Sequence, residues 1–276
     1  MPEGDTIYRA ARTLHAALAG QVVTRFESGL AQLVTLDRDE PIAGRTVEHV
    51  AAAGKHLLLT LSGGLVLRTH MRMNGSWHIY RPGERWQMSP RAMRILIETA
   101  EWVAVAFNVY VAEFVRANQL HRHRPLATLG PDLLGHFDAA QALARVRQRG
   151  SRLLHEVLLD QQVMAGIGNV YKSEILFLSG LHPDTLAGQV SDEEWHALMA
   201  LAQHLLEANV AETSGPGIQT YRGRRRTTGR MNAEDRLWVY SRGGQPCRKC
   251  GSRIISRKDG DDARVTYWCP RCQPAR

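Results

Sequence analysis

The chain has 276 residues, 44% of them hydrophobic, and a formal net charge of +8. That length suits about two domains, and the apolar fraction excludes a disordered chain. No apolar run approaches the ~18 residues a membrane span needs, and the acidic Glu3 and Asp5 stand where a signal peptide would be basic. The expectation is a cytoplasmic protein that keeps its own N-terminus.

The chain opens Met1-Pro2-Glu3-Gly4-Asp5. If Met1 is removed, Pro2 presents a secondary α-amine, and a free α-amine titrates at about 7.7–8.0. Such an amine attacks an aldehyde-level carbon as a Schiff-base lysine does, and Glu3 lies within reach to move a proton. The plain alternative is a shielded terminus beside a solvated carboxylate. Asp5 can cap a helix from about Thr6, with Ile7, Ala10, Ala11, Leu14, Ala17 and Leu18 on one face and Gly20 at its end. Its amino end would favour an anion nearby.

From Gln21 the pattern turns to short strands, predicted over 22–26, 33–36, 47–52, 57–61, 65–70, 76–80, 93–98, 103–107 and 109–114. Near-regular spacing of this kind argues for a β-sandwich or barrel. His121-Arg122-His123-Arg124-Pro125 is expected to be a linker, and helices are expected over 138–147, 152–159, 170–178 and 192–208. Ala165-Gly166-Ile167-Gly168-Asn169 is a tight turn feeding a helix. It is either an N-capped connection or a set of amides that, with Asn169, holds a phosphate.

Residues 213–236 are basic and Gly-rich, with Arg222, Arg224, Arg225, Arg226 and Arg230, and suggest a mobile loop. The positive charge is concentrated here and beyond: residues 1–220 sum to −2 and residues 221–276 to +10. A basic segment on a near-neutral body suggests a polyanion, most often nucleic acid. Cys247-x2-Cys250 and Cys269-x2-Cys272, the only cysteines, have the spacing of a four-thiolate zinc site. Two disulfides are the competing reading, and four protein ligands would make the ion structural. Arg253, Arg257, Lys258 and Arg264 on the intervening hairpin suit a phosphate-binding tip. Lysines are scarce, at positions 55, 172, 249 and 258 only.

Taken in order, Pro2-Glu3-Gly4, Gly54-Lys55-His56, His70-x2-Met73-x-Gly75, Leu159-Asp160-Gln161, Gly166-Ile167-Gly168-Asn169-Val170-Tyr171 and the finger with Arg264 and Tyr267-Trp268-Cys269-Pro270 resemble the bacterial formamidopyrimidine-DNA glycosylase/endonuclease VIII family. The opening Pro-Glu-Gly resembles its endonuclease VIII-like branch. The resemblance implies a multi-domain α+β protein. Its parts would be an N-terminal helix and two-layered β-sandwich (1–120), a helix–two-turn–helix domain (121–236) and a C-terminal β-hairpin zinc finger (237–276). It implies one structural zinc ion on Cys247, Cys250, Cys269 and Cys272, damaged double-stranded DNA as partner, and a monomer working in the bacterial cytoplasm and at the nucleoid.

The implied activity is base excision with AP lyase action on oxidised bases, pyrimidines by the branch. A flipped nucleotide is attacked at C1′ by Pro2, Glu3 donates a proton, and β- then δ-elimination follow. Lys55, otherwise a solvated strand-end lysine, matches the family's proton donor and phosphate contact. Arg264 and Asn169 match phosphate-binding residues, and Arg264 also assists the second elimination. Arg72 and Met73 lie in the loop that fills the gap left by the flipped base. Two departures stand out. Arg72 and Asn74 replace a glutamine and a tyrosine of the endonuclease VIII pattern, and Thr128 replaces a DNA-contacting arginine, for which Arg122 or Arg124 would have to substitute. The rival readings are an oxidised-purine glycosylase on the same scaffold and a non-catalytic zinc-ribbon DNA-binding protein.

Overall fold

The computed structural model describes residues 2–211, 225–230, 232–259 and 264–275. Most of the basic stretch read as a loop at 213–236, including Arg222 and Arg224, therefore lies outside the described residues. Backbone contacts divide the chain into a first unit through Thr128 and a second that begins at Leu129 and includes the cysteine hairpin. No described helix is long and apolar enough to cross a membrane.

The first unit opens with α1 (Gly4–Leu18), whose apolar face is buried as expected. The cap differs from the expectation. Glu3, not Asp5, is the N-cap residue, and its carbonyl accepts from the Thr6 and Ile7 amides at 2.9 and 3.1 Å. Asp5 lies in the first turn, wholly buried, with Arg9 at 3.8 Å and the Thr6 hydroxyl at 3.2 Å.

Two antiparallel four-stranded sheets follow. One runs β1 (Arg25–Ser28), β6 (Met93–Glu98), β7 (Val103–Phe107), β5 (Ser76–Tyr80). The other runs β2 (Val47–Ala53), β3 (His56–Leu61), β4 (Leu65–His70), β8 (Val111–Arg116). Leu57, Leu59, Leu67, Trp77, Ile95, Ile97 and Ala106 from both sheets join α1 in one core, the sandwich the strand spacing implied. β7 is buried on both faces because Trp86 and Met88 cover Val103, Val105 and Phe107 from outside.

The strand expected at 33–36 is instead part of α2 (Ala31–Asp39). Leu30, Leu33 and Leu36, three apart, face the core while Val34 is exposed. A four-residue apolar run fits either period, and here the longer spacing decided. The expected linker at 121–125 is also structured: a 3-10 turn spans Ala117–Arg122 and α3 spans Arg124–Ala127, with Pro125 in its first turn.

In the second unit α4 (Ala139–Arg147), α5 (Leu154–Val157), α6 (Asn169–Ser179) and α7 (Asp192–Ala211) enclose a core around Trp195, Tyr171 and Leu206. Asp138 caps α4 by accepting from Gln141 N at 2.9 Å. The hairpin β9 (Ile255–Asp259) and β10 (Arg264–Trp268) packs beside α6. Glu174 of α6 joins the helical part to the finger. Its wholly buried carboxylate accepts from the Trp238, Val239 and Tyr240 amides, each at 2.8 Å, and from the Thr227 hydroxyl.

A register row crosses the second sheet at one end, pairing Ala53 with His56, His56 with His70 and His70 with Val111. The His56 and His70 rings meet edge-on, 4.9 Å between centroids. Arg68 donates to His56 Nδ1 at 2.7 Å and to Glu113 at 2.8 Å. Burial, reinforced by neighbouring positive charge, lowers His56 to about 3 and His70 to about 4.

Two outcomes follow. Glu174→Ala strands three amides, that of Val239 buried and those of Trp238 and Tyr240 half-buried, and should cost about 3 kcal/mol, read as a lower urea midpoint with unchanged m. The histidine pair adds nothing to the pH dependence above ~6.5. As pH falls from there towards 3–4, the unfolded chain takes up protons that the native rings refuse, so stability declines. His56→Leu should flatten that decline relative to wild type in urea melts between pH 7 and 4. Parallel curves would contradict the assignment.

Candidate active site and metal centre

The register row ends where the candidate residues of the first unit begin. Between Ala53 and His56 the chain reverses in two residues, Gly54 and Lys55. Gly54 has φ +57, and positive φ at the first central position is what a type II′ hairpin asks of glycine. Lys55 is thereby held at the tip, half-buried.

Past His70, Met71 is anchored in the core and Gly75 N returns to the Met71 carbonyl at 2.8 Å. A Cβ on Gly75 would meet that carbonyl at 2.4 Å, so the turn requires glycine. Arg72 adopts a left-handed φ of 52, and its amide donates to His70 Nδ1 at 3.0 Å. The loop so formed thrusts Met73 outward, 64% exposed. A core methionine is excluded.

α1 brings the N-terminus toward the same end. Gly20 N donates to Val47 O and Val50 N to His15 Nδ1, so helix and strand run antiparallel. From His15 back to Gly4 is ~16 Å of helix, and from Val50 on to Gly54 is ~13 Å of strand. The helix thus points Pro2 and Glu3 toward the Gly54-Lys55 turn. Both are buried, Glu3 wholly.

The strand expected over 109–114 would place Tyr110 within it, whereas β8 starts at Val111 after Asn108 turns with φ +54. Tyr110 is 59% exposed and stands next to Val111, the partner of His70. Arg94 donates to its hydroxyl at 2.9 Å and lies 4.7 Å from the ring centre.

In the second unit the turn before α6 is braced by Gln161, which accepts from Gly166 N and donates to Ile167 O. Gly166 has φ +114. Gly168, not Asn169, is the N-cap. Asn169 Nδ2 donates to Val265 O at 3.0 Å, and its buried Oδ1 has no partner among the described residues. Asn169 is therefore joined to the residue next to Arg264, which opens β10 on an exposed edge. Of the hairpin cations, Arg257 is not available as a tip contact. It holds Asp184 at 2.6 and 2.8 Å and Asp259 at 2.6 Å, which raises its pKa further.

The four cysteine sulfurs lie within 4.8 Å of one another, Cys247 to Cys272 at 3.9 Å and Cys250 to Cys269 at 3.4 Å. Disulfide bonds need about 2.05 Å, whereas a tetrahedral zinc with Zn–S of about 2.3 Å sets sulfurs ~3.8 Å apart. The cluster fits one structural zinc ion. Burial raises the Cys269 and Cys272 thiols, a cost that a cation bound by the set would offset.

Three family descriptions match in chain order: the formamidopyrimidine-DNA glycosylase N-terminal domain over residues 1–109, the formamidopyrimidine-DNA glycosylase H2TH domain over 129–221, and the zinc finger found in FPG and IleRS over 244–275. A probable endonuclease 8 2 of Streptomyces coelicolor is 43% identical, covering 99% of this chain and 94% of that protein. The DNA-(apurinic or apyrimidinic site) lyase Nei2 of Mycolicibacterium smegmatis is 35% identical over the whole of both chains. The Lactococcus lactis formamidopyrimidine-DNA glycosylase, crystallised with AP-site DNA, shares the fold with a TM-score of 0.82 at 21% identity, covering 99% of this chain and all of that one. With these matches spanning the whole chain, and with the motifs in the places described, the protein belongs to the formamidopyrimidine-DNA glycosylase/endonuclease VIII family, on its endonuclease VIII-like branch.

Proposed function

We propose that the protein is a bifunctional DNA glycosylase and AP lyase that excises oxidised bases, pyrimidines first, from damaged double-stranded DNA. The observation that carries this reading is the convergence on one sheet end: Lys55 in its glycine-led turn, Met73 on its thrust-out loop and α1 pointing Pro2 and Glu3 the same way. A nucleophilic amine, a carboxyl group, an ammonium and an apolar wedge are the parts needed to open a duplex and cut a sugar.

In this reading Met1 is removed and the neutral Pro2 amine attacks C1′ of the flipped nucleotide. The C1′–base bond breaks and the base leaves, taking up the proton that the Pro2 nitrogen sheds as its bond to C1′ forms. Glu3 gives a proton to the sugar ring oxygen, so the ring opens to an iminium on Pro2. The iminium acidifies C2′–H, loss of that proton expels the 3′ phosphate, and a second elimination releases the 5′ phosphate. Lys55 supplies protons and a phosphate contact, and Arg264 and Asn169 hold the backbone. Met73, Arg72 and the exposed Tyr110 fill the space the flipped base leaves, since an apolar or aromatic wedge suits an unstacked step. The zinc ion, held by Cys247, Cys250, Cys269 and Cys272, fixes the finger that carries Arg264. The protein works as a monomer in the bacterial cytoplasm, at the nucleoid.

Two measurements test the reading. Duplexes carrying dihydrouracil or 5-hydroxyuracil should be nicked faster than one carrying 8-oxoguanine opposite cytosine. The reverse order would assign the purine reading, and binding without scission the non-catalytic one. Glu3→Gln should lower base excision by ~10²–10⁴-fold, the usual worth of a general acid, and cleavage of a preformed abasic site by much less. Equal losses would remove Glu3 from the proton-donor role.

A further inference from the structure

Lys172 is wholly buried in the first turn of α6, and the chemistry above makes no use of it. Burying an ammonium costs several kcal/mol unless its partners repay it, and a methionine would fill the same space without that cost. Its position shows what it does there. Lys172 Nζ donates to Thr266 Oγ1 at 2.6 Å, and Thr266 is itself wholly buried on β10. One turn back on the same helix, Asn169 Nδ2 donates to Val265 O. One residue on, Ser173 Oγ accepts from Tyr267 N at 3.4 Å. Positions 169, 172 and 173 share one face of a helix. That face therefore grips Val265, Thr266 and Tyr267 in succession, and Arg264 is the next residue out.

The three bonds are not equivalent. Asn169 and Ser173 bind main-chain atoms, which any residue of β10 would offer. The bond from Lys172 requires the hydroxyl of Thr266. A one-residue slip of β10 would put Val265 or Tyr267 there with the strand's faces exchanged, and Arg264 would then turn to the opposite side. Thr266 and Arg264 lie on the same face, two apart. Asp259, the cross-strand partner of Arg264, is held by Arg257 at 2.6 Å.

We infer that Lys172 is a positioning residue for Arg264: through Thr266 it pins the register of β10 on α6 and so sets where the Arg264 guanidinium meets the DNA backbone. This rests on the reading of Arg264 as a phosphate-binding residue.

The test is single-turnover cleavage of an abasic-site duplex by zinc-loaded full-length protein. Lys172→Met and Thr266→Val should each slow cleavage about ten- to a hundredfold, as misplacement of a group by an ångström does, while Thr266→Ser should restore the wild-type rate. Adding Lys172→Met to Arg264→Ala should slow cleavage no further, because the first change acts through the second residue. If the two losses multiply, or if Thr266→Val cleaves at the wild-type rate while Arg264→Ala is slow, the inference is overturned. If Lys172→Met does not fold or hold zinc, the Thr266 pair decides. An Arg264→Ala protein as fast as wild type would instead overturn the reading of Arg264 and this inference with it.

Discussion

The first unit depends on the register of one β-ladder. Because Ala53, His56, His70 and Val111 stand in a single row, the Gly54-Lys55 turn, the Met71–Gly75 loop and Tyr110 leave the sheet at one level. Register in a half-buried sheet is held by side chains, since a slip of one residue would expose the leucines of β3 and β4. The row itself is held by a polar lock of His56, Arg68, Glu113 and His123. His56 and His70 are kept neutral by burial. The sheet end therefore gains hydrogen-bonding rigidity without adding charge to the positive groups Lys55 and Arg72 beside it.

The second unit solves a different problem. A finger of some thirty residues buries too little apolar surface to hold its own shape, and two devices compensate. The zinc cluster closes its base, and α6 supplies polar anchors along its length: Asn169, Lys172 and Ser173 to β10, and Glu174 to the Trp238–Tyr240 amides. A helix buried on nearly every side has polar groups in its interior, and each one named is paired with the finger. That pairing turns a costly composition into a docking surface.

Much of this was legible in the sequence, for physical reasons that differ by element. The thiol spacing could hold one ion whatever surrounded it, so the metal site followed from four residues. Short apolar runs at near-regular spacing, broken by turn residues, marked the strands of the sandwich. Lys55, Met73 and Asn169 were found through motif order, and local geometry now explains the glycines beside them: Gly54 for its positive φ, Gly75 for the carbonyl it must pass. What sequence could not supply were facts about distant partners. Leu33 shows its helical phase only against Leu30 and Leu36 on a core contributed by other strands. Asp5 looked like a cap until Arg9 was seen to hold it. Arg257 counted as a free cation until Asp184, 73 positions away, claimed it. Nothing near Glu174 and Lys172 in the chain marks them as buried, because their partners lie 53 to 94 residues further on.

The central claim is that the terminal amine of Pro2, and not the nearby ammonium of Lys55, forms the covalent bond to the sugar. Borohydride reduction during turnover of an abasic-site or oxidised-pyrimidine duplex, followed by proteolysis and mass mapping of the adduct, reads this directly. The expected result is a stable protein–DNA species whose sugar fragment sits on the peptide beginning at Pro2, and none when Met1 is retained. An adduct mapped to Lys55, or no adduct from zinc-loaded protein that is cleaving DNA, would contradict the account.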